Sequence, residues 1–308
     1  MTSSQDLLRS MLAIRAFEEA LAQRPDHGFQ LFSTGQEAVA VGVCAALVPE
    51  DQLLTSGRSI APALARGLDP NAVMAELLGK VAGTNRGRGG RGHLAQPAAG
   101  FFGAHAVVAG NITIAAGVAL ALQSRGRGIA ACMFGDGACS AGALHEALNL
   151  AAVWRLPLLF VCDNNGYSIS TPHSATLAPR MLASLATPFG MPACTVDGMD
   201  VEAVREAAVA LIASIRAGGG PAFIECRSAR FATHSTSTRE TRPAEELATD
   251  RARDPIVALE RRLSTQGVID AAQVEAWRGE AHAATLAALR FADAAPYPAP
   301  GTVLEDVV

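Results

Sequence analysis

The spacing of hydrophobic positions changes along the chain, and the changes outline its elements. Leu7, Leu8, Met11, Leu12, Ile14 and Phe17 recur at three- and four-residue intervals, which predicts an amphipathic helix over residues 3–22. A second helix is predicted over residues 36–47. Residues 83–103, beginning with the run GTNRGRGGRGH, carry no periodic apolar face and read as loop. The next helix, 111–123, is small and apolar on every side, so it is expected to be packed on all faces.

From there the pattern alternates. Residues 129–134 form a short apolar run followed by Gly135-Asp136-Gly137 and a helix over 140–154. Residues 157–162 form the next run, closed by Asp163-Asn164-Asn165-Gly166. A helix over 200–217, a glycine break at 218–220 and a strand at 222–226 follow. Short apolar strands separated by helices predict an α/β fold, with a parallel sheet and helices on both faces. Residues 227–253 have almost nothing to bury and are expected to be either disordered or an active-site loop. Helices over 254–265 and 271–291 and a Pro-rich tail complete a C-terminal extension, 254–308, of a single domain spanning 1–308.

Composition narrows the class. Half of the 308 residues are apolar, enough for a large core, and a net charge of −4 offers no basic surface to nucleic acid. The longest apolar run, residues 112–122, falls short of the roughly 20 residues of a membrane span. Asp6, Glu18 and Glu19 interrupt the N-terminus, unlike a signal or transit peptide. The six cysteines are widely spaced without a C-x-x-C pair and read as reduced thiols of a cytoplasmic protein.

The candidate chemistry lies after the two central runs. In parallel α/β sheets, ligands bind beyond the carboxyl ends of the strands. Asp136 stands there between two glycines, and Asn164-Asn165-Gly166 takes the same place after the next run. On neighbouring strands, a carboxylate, an amide oxygen and backbone carbonyls would form a hard-oxygen site for Mg²⁺, with positions left for phosphate and water. GDG followed by NN, with residues 138–163 between them, matches the thiamine-diphosphate signature.

The same stretch, GDGACSAGALHEALNLAAVWRLPLLFVCDNNGYSIST (135–171), resembles the alpha subunits of pyruvate, branched-chain 2-oxo acid and acetoin dehydrogenases. So do IRAFEE (14–19), GQEAVAVG (35–42), AELLGK (75–80), VDGMD (196–200), HSTS (234–237) and DPI (254–256). The resemblance implies thiamine diphosphate held through Mg²⁺, with Asp136, Asn165 and the carbonyl of Tyr167 as metal ligands. It places Gly137 and Ala138 against the diphosphate, Arg58 on one phosphate, and Ala106 and Val108 at the aminopyrimidine. His234 matches the active-site histidine. The activity implied is oxidative decarboxylation of a 2-oxo acid with acyl transfer to a lipoyl group. The implied partners are a beta subunit in an α₂β₂ heterotetramer, which brings the glutamate that activates the cofactor, and a lipoyl acyltransferase.

Some positions depart from the resembling pattern. Leu31 stands where pyruvate-type members carry histidine, Gly57 replaces an aromatic residue before Arg58, and Ala141 replaces a glutamate. Thr238 replaces an aspartate after HSTS, and Arg91 interrupts GGSMH. Leu31 predicts a preference for an apolar acyl group. Ser235 reads as an ordinary loop serine, Asp163 and Glu146 as structural groups, and His93 and His105 as possible cofactor contacts. Three rivals share the motifs: an acetoin dehydrogenase alpha subunit, a two-chain carboligase without a lipoyl partner, and a non-catalytic scaffold.

Overall fold

The computed structural model describes residues 2–305. Among these residues the strands are β1 (Gln52–Ser56), β2 (Phe101–His105), β3 (Ala130–Gly135), β4 (Leu158–Asn164), β5 (Tyr167–Ser168), β6 (Thr171–Pro172), β7 (Ala193–Asp197) and β8 (Ala222–Arg227). The helices are α1 (Ser4–Ala22), α2 (Glu37–Cys44), α3 (Ile60–Ala65), α4 (Pro70–Leu77), α5 (Gly110–Ser124), α6 (Gly142–Trp154), α7 (His173–Thr176), α8 (Val201–Ser214), α9 (Ala244–Arg251), α10 (Pro255–Thr265) and α11 (Ala271–Ala294).

Six strands form one sheet in the order β2-β1-β3-β4-β8-β7, with every neighbouring pair parallel. Successive side chains of a strand point to opposite faces, and the packing follows this alternation. Leu53, Ala131, Met133, Leu159, Val161 and Ile224 join one apolar cluster with residues of α1, α2, α8, α10 and α11. Leu54, Ala130, Cys132, Phe134, Phe160, Cys162 and Phe223 join another with α5 and α6. Both faces are covered, as the continuous apolar runs predict.

Local chemistry sets the helix starts. Ser3 and Asp6 form a capping box at α1. Asp69 and Asp254 each accept a backbone N–H ahead of a proline at the start of α4 and α10, where the missing proline N–H leaves no partner wanting. Asp200 and Asp270 cap α8 and α11 in the same way.

Two expectations change, and the choice left open for residues 227–253 is decided against disorder. The 83–103 stretch is loop only in its first part, because β2 forms at the sheet edge with only Phe101 buried. The 227–253 stretch is ordered and contains α9. Polar contacts hold it: Arg242, with 1% of its side chain exposed, donates to the carbonyls of Arg230 and Ala232 and pairs with Glu240, Arg251 donates to Phe231 O, and the Tyr167 hydroxyl donates to Glu246. Finally, α5 is not packed on all faces. Thr113, Ile114, Gly117, Leu120 and Ala121 are exposed in the single chain, forming an uncovered apolar stripe. A pattern of apolar residues reports burial without saying whether the cover belongs to the same chain.

Candidate active site

The chain leaves β1 toward β2 on one side and leaves β3 toward β4 on the other, yet β1 and β3 are neighbours. Connections that diverge from adjacent parallel strands open a crevice at their carboxyl ends. A cavity of about 360 Å³ lies there, lined by residues 55–58 after β1, 133–138 at the end of β3, and Asp163, Asn165 and Tyr167 at and beyond the end of β4. All nine residues singled out from sequence line this cavity: Arg58, Ala106, Val108, Asp136, Gly137, Ala138, Asn165, Tyr167 and His234. His93 and His105 lie edge-on, 6.1 Å apart, outside its lining.

At the strand-end wall, β3 and β4 pair Gly135 with Asp163. Asp136, one residue on, is 2% exposed and has no ion-pair partner among the described residues. Loss of water raises its pKa, opposed by backbone N–H groups and by the charges of His173 and Arg230. The two asparagines have separate work. Asn164 donates to the buried Glu225 at 2.8 Å, while Asn165 lines the cavity and accepts the Tyr167 N–H at 3.3 Å. The Tyr167 phenol is engaged with Glu246, so the residue offers backbone rather than hydroxyl to the cavity. Asp163 accepts from Gln36 at 2.8 Å and from Ser228 at 2.5 Å, and burial pushes its carboxyl up to about 6. A Cβ at Gly137 would come within 2.6 Å of Ser168 Oγ in the β5–β6 hairpin, so a side chain there requires Ser168 to shift.

The opposite wall is cationic. Arg58 donates to Phe32 O at 2.5 Å and to His234 O at 3.1 Å. His234 Nδ1 faces Arg58 at 3.5 Å and Arg230 at 3.4 Å. Burial first, then the charges of Arg58, Arg230 and Arg91, push the imidazole down to about 4, so it is neutral at physiological pH. With Nδ1 facing donors, the neutral ring carries its proton on Nε2. None of Arg58, Arg91 and Arg230 forms a salt bridge among the described residues.

Several residues of this site were not singled out from sequence. Arg230 is hidden in a polar segment, and Gln36 sits within the GQE motif as a helix-starting residue. Glu18 is fully buried on α1, where it accepts the Ser33 N–H at 2.7 Å, and burial pushes its carboxyl up to about 8. Glu76 is fully buried on α4 and accepts the N–H groups of Asn85, Gly87, Gly89 and Gly90, folding the Gly/Arg run around one carboxylate. Its signal was the glycine run itself, whose free N–H groups require an acceptor. Ser235 is 3% exposed, and its N–H donates to Thr238 Oγ1 at 2.8 Å, which gives Thr238 a turn-closing role.

Fold and cavity together define an α/β protein with a strand-end cavity at a topological switch point, lined by a buried carboxylate and by guanidiniums. The chain belongs to the dehydrogenase E1 component family, whose model matches residues 6–301. It is 37% identical over 313 residues to the alpha subunit of acetoin:2,6-dichlorophenolindophenol oxidoreductase of Bacillus subtilis, covering 98% of this chain and 92% of the relative. The subunit of the same name from Cupriavidus necator is 39% identical over 306 residues, with 97% and 92% covered. The pyruvate dehydrogenase E1 component subunit alpha of Zymomonas mobilis is 38% identical over 302 residues, with 96% and 85% covered.

Proposed function

We propose that this chain is the alpha-type subunit of a 2-oxo acid dehydrogenase E1 component and binds thiamine diphosphate through Mg²⁺ in the strand-end cavity. The observation that carries the reading is the convergence of all nine motif residues on one cavity, with Asp136 and Asn165 at the ends of adjacent strands. The donor set fits the ion. A buried carboxylate with no ion-pair partner among the described residues, a carboxamide oxygen and a backbone carbonyl are hard ligands that leave room for phosphate oxygens. Bound there, thiamine diphosphate supplies the carbanion and electron sink for breaking a bond beside a carbonyl.

The chain's own residues bind and orient. Asp136, Asn165 and the Tyr167 backbone take the metal, Gly137 and Ala138 lie against the diphosphate, and Arg58 pairs with a phosphate. Ala106 and Val108 stand at the pyrimidine side. His234, neutral, presents its Nε2 proton as a hydrogen-bond donor to a substrate oxygen.

A second chain is part of the reading. The cavity's two acids are committed, Asp136 to the metal and Asp163 to Gln36 and Ser228, so the carboxylate that activates the cofactor comes from a beta-type partner. Val107, Val108 and Ile169 near the cavity and the uncovered stripe of α5 supply apolar surface for it. The assembly is an α₂β₂ heterotetramer, the acyl acceptor a lipoyl acyltransferase, and the location cytoplasmic. No described helix is long and apolar enough to cross a membrane.

Calorimetry with thiamine diphosphate and Mg²⁺, on the chain purified with its beta-type partner, tests the site. Asp136→Ala is expected to abolish Mg²⁺-dependent binding, and unchanged affinity contradicts the assignment. Full turnover by the lone chain contradicts the two-chain site. A second reading, cleavage of acetoin, is favoured by the two similar oxidoreductase subunits named for that substrate.

A further inference from the structure

Of the guanidiniums on the cationic wall, Arg58 and Arg91 line the cavity, and Arg91 has no part in the cofactor binding proposed above. Arg91 lines the cavity from the turn Gly90–His93, whose backbone is fixed by Glu76 on one side and by the Ser59 hydroxyl, 2.5 Å from Arg91 O, on the other. Its guanidinium is held in plane by two carbonyls, Nε to Phe29 O at 3.1 Å and Nη1 to Gly57 O at 3.2 Å, and lies 4.5 Å from the Phe29 ring centre. Nη2 has no partner among the described residues, and no carboxylate neutralises the group. The charge is half-buried, and burial lowers the Arg91 pKa, so a compensating anion gains more there than at an open surface.

Two departures from the sequence pattern meet in this contact. Gly57 adopts φ +74°, which turns its backbone in a way an aromatic residue would resist, and nothing lies within 4 Å of where its Cβ would be. The space so left is beside the Arg91 side chain, whose Nη1 takes the Gly57 carbonyl. Phe29, against the guanidinium, and Leu31, 6% exposed, add apolar surface to the same cavity. A fixed cation with a free N–H edge beside an apolar surface suits a small organic acid with an apolar tail. A neutral hydroxyketone has no charge to place against it.

We propose that Arg91 binds the carboxylate of the substrate and makes this site selective for 2-oxo acids over acetoin. The proposal rests on the reading of the cavity as a thiamine-diphosphate site. Leu31 and Phe29 then receive the acyl side chain, while Arg58 remains with the diphosphate. Arg91 touches the substrate and acts through selectivity, so its removal shows in KM for the acid more than in kcat.

The test uses the complex of this chain with its beta-type partner, loaded with thiamine diphosphate and Mg²⁺. Rates are read with 2,6-dichlorophenolindophenol as electron acceptor, for pyruvate, 2-oxoisovalerate and acetoin, in wild type, Arg91→Met and Arg91→Lys. Wild type is expected to favour an acid over acetoin. Arg91→Met is expected to raise KM for the acid about tenfold to a hundredfold, the range of a lost charged hydrogen bond, with kcat changed less. Arg91→Lys restores part of the loss, because it keeps the charge without the planar fork. Cofactor affinity, measured by calorimetry on the same variants, stays at the wild-type value. Three outcomes overturn the proposal: wild type favouring acetoin over both acids, equal losses on acid and acetoin, or a fall in cofactor affinity, which would assign Arg91 to the diphosphate. A wild-type complex that binds no thiamine diphosphate overturns the underlying reading instead, and calorimetry separates that failure from the others.

Discussion

Replacing Glu76 with alanine removes the one acceptor around which the Gly/Arg run is folded. Four backbone N–H groups point at that carboxylate: Asn85 at 2.7 Å, Gly87 at 2.9 Å, Gly89 at 2.7 Å and Gly90 at 3.0 Å. These donors are partly buried, so the ordinary net value of a hydrogen bond applies rather than the higher one for a charged acceptor, and about 1 kcal/mol each gives about 4 kcal/mol in all. The run itself buries few apolar side chains, and its detached N–H groups would be taken up by water. The loss is therefore expected locally, as opening of residues 85–90, with the sheet intact. Hydrogen exchange measures it directly: the four amides should exchange about a thousandfold faster, the equivalent of 4 kcal/mol at 1.36 kcal/mol per decade. Amides of β3 and β4 should keep their protection. Glu76→Gln retains one acceptor oxygen and should preserve about half of the effect in free energy. Unchanged exchange at the four amides, or loss of protection throughout the sheet, would refute the reasoning.

Two further substitutions and a titration test other parts of the site. Asn164→Asp sets a second carboxylate against the buried Glu225 and should destabilise the fold by about 2 kcal/mol or more in urea unfolding. Asn165→Ala should leave unfolding nearly unchanged while weakening Mg²⁺-dependent cofactor binding, and the opposite pattern would exchange the roles given to the two asparagines. His234, depressed to about 4 from 6.5, binds fewer protons folded than unfolded between those values, so its contribution makes stability fall as pH drops from about 6.5 to about 4. His234→Asn should flatten that part of the stability curve. An imidazole titration by proton NMR with a midpoint near 6.5 would contradict the cationic surroundings.

Much of the fold was legible because burial on both faces of a parallel strand leaves a continuous apolar run. The runs at 129–134, 157–162 and 222–226 became β3, β4 and β8, three of the four inner strands of the sheet. The edge strands β2 and β7 left weaker traces, since only Phe101 of β2 and no residue of β7 is buried. β1 is an inner strand, but only Leu53, Leu54 and Thr55 of its five residues are buried, too short a run to stand out between polar neighbours. The order inside 227–253 was invisible for a different reason. It depends on guanidinium groups reaching backbone carbonyls 10 to 20 residues away, and such pairings have no period.

By itself the sequence singled out Asp136 between its glycines, the asparagine pair, Arg58 and His234, and the first three stand at or directly after the ends of β3, β4 and β1. Only the tertiary structure decided which asparagine faces the cavity, that His234 stands between two guanidiniums and is neutral, and that Arg91 lines the cavity without a carboxylate partner among the described residues. Local spacing sets backbone turns over a few residues. Protonation and selectivity depend on which charges are brought together from distant parts of the chain and how far water is excluded between them, and that follows from the order of the strands.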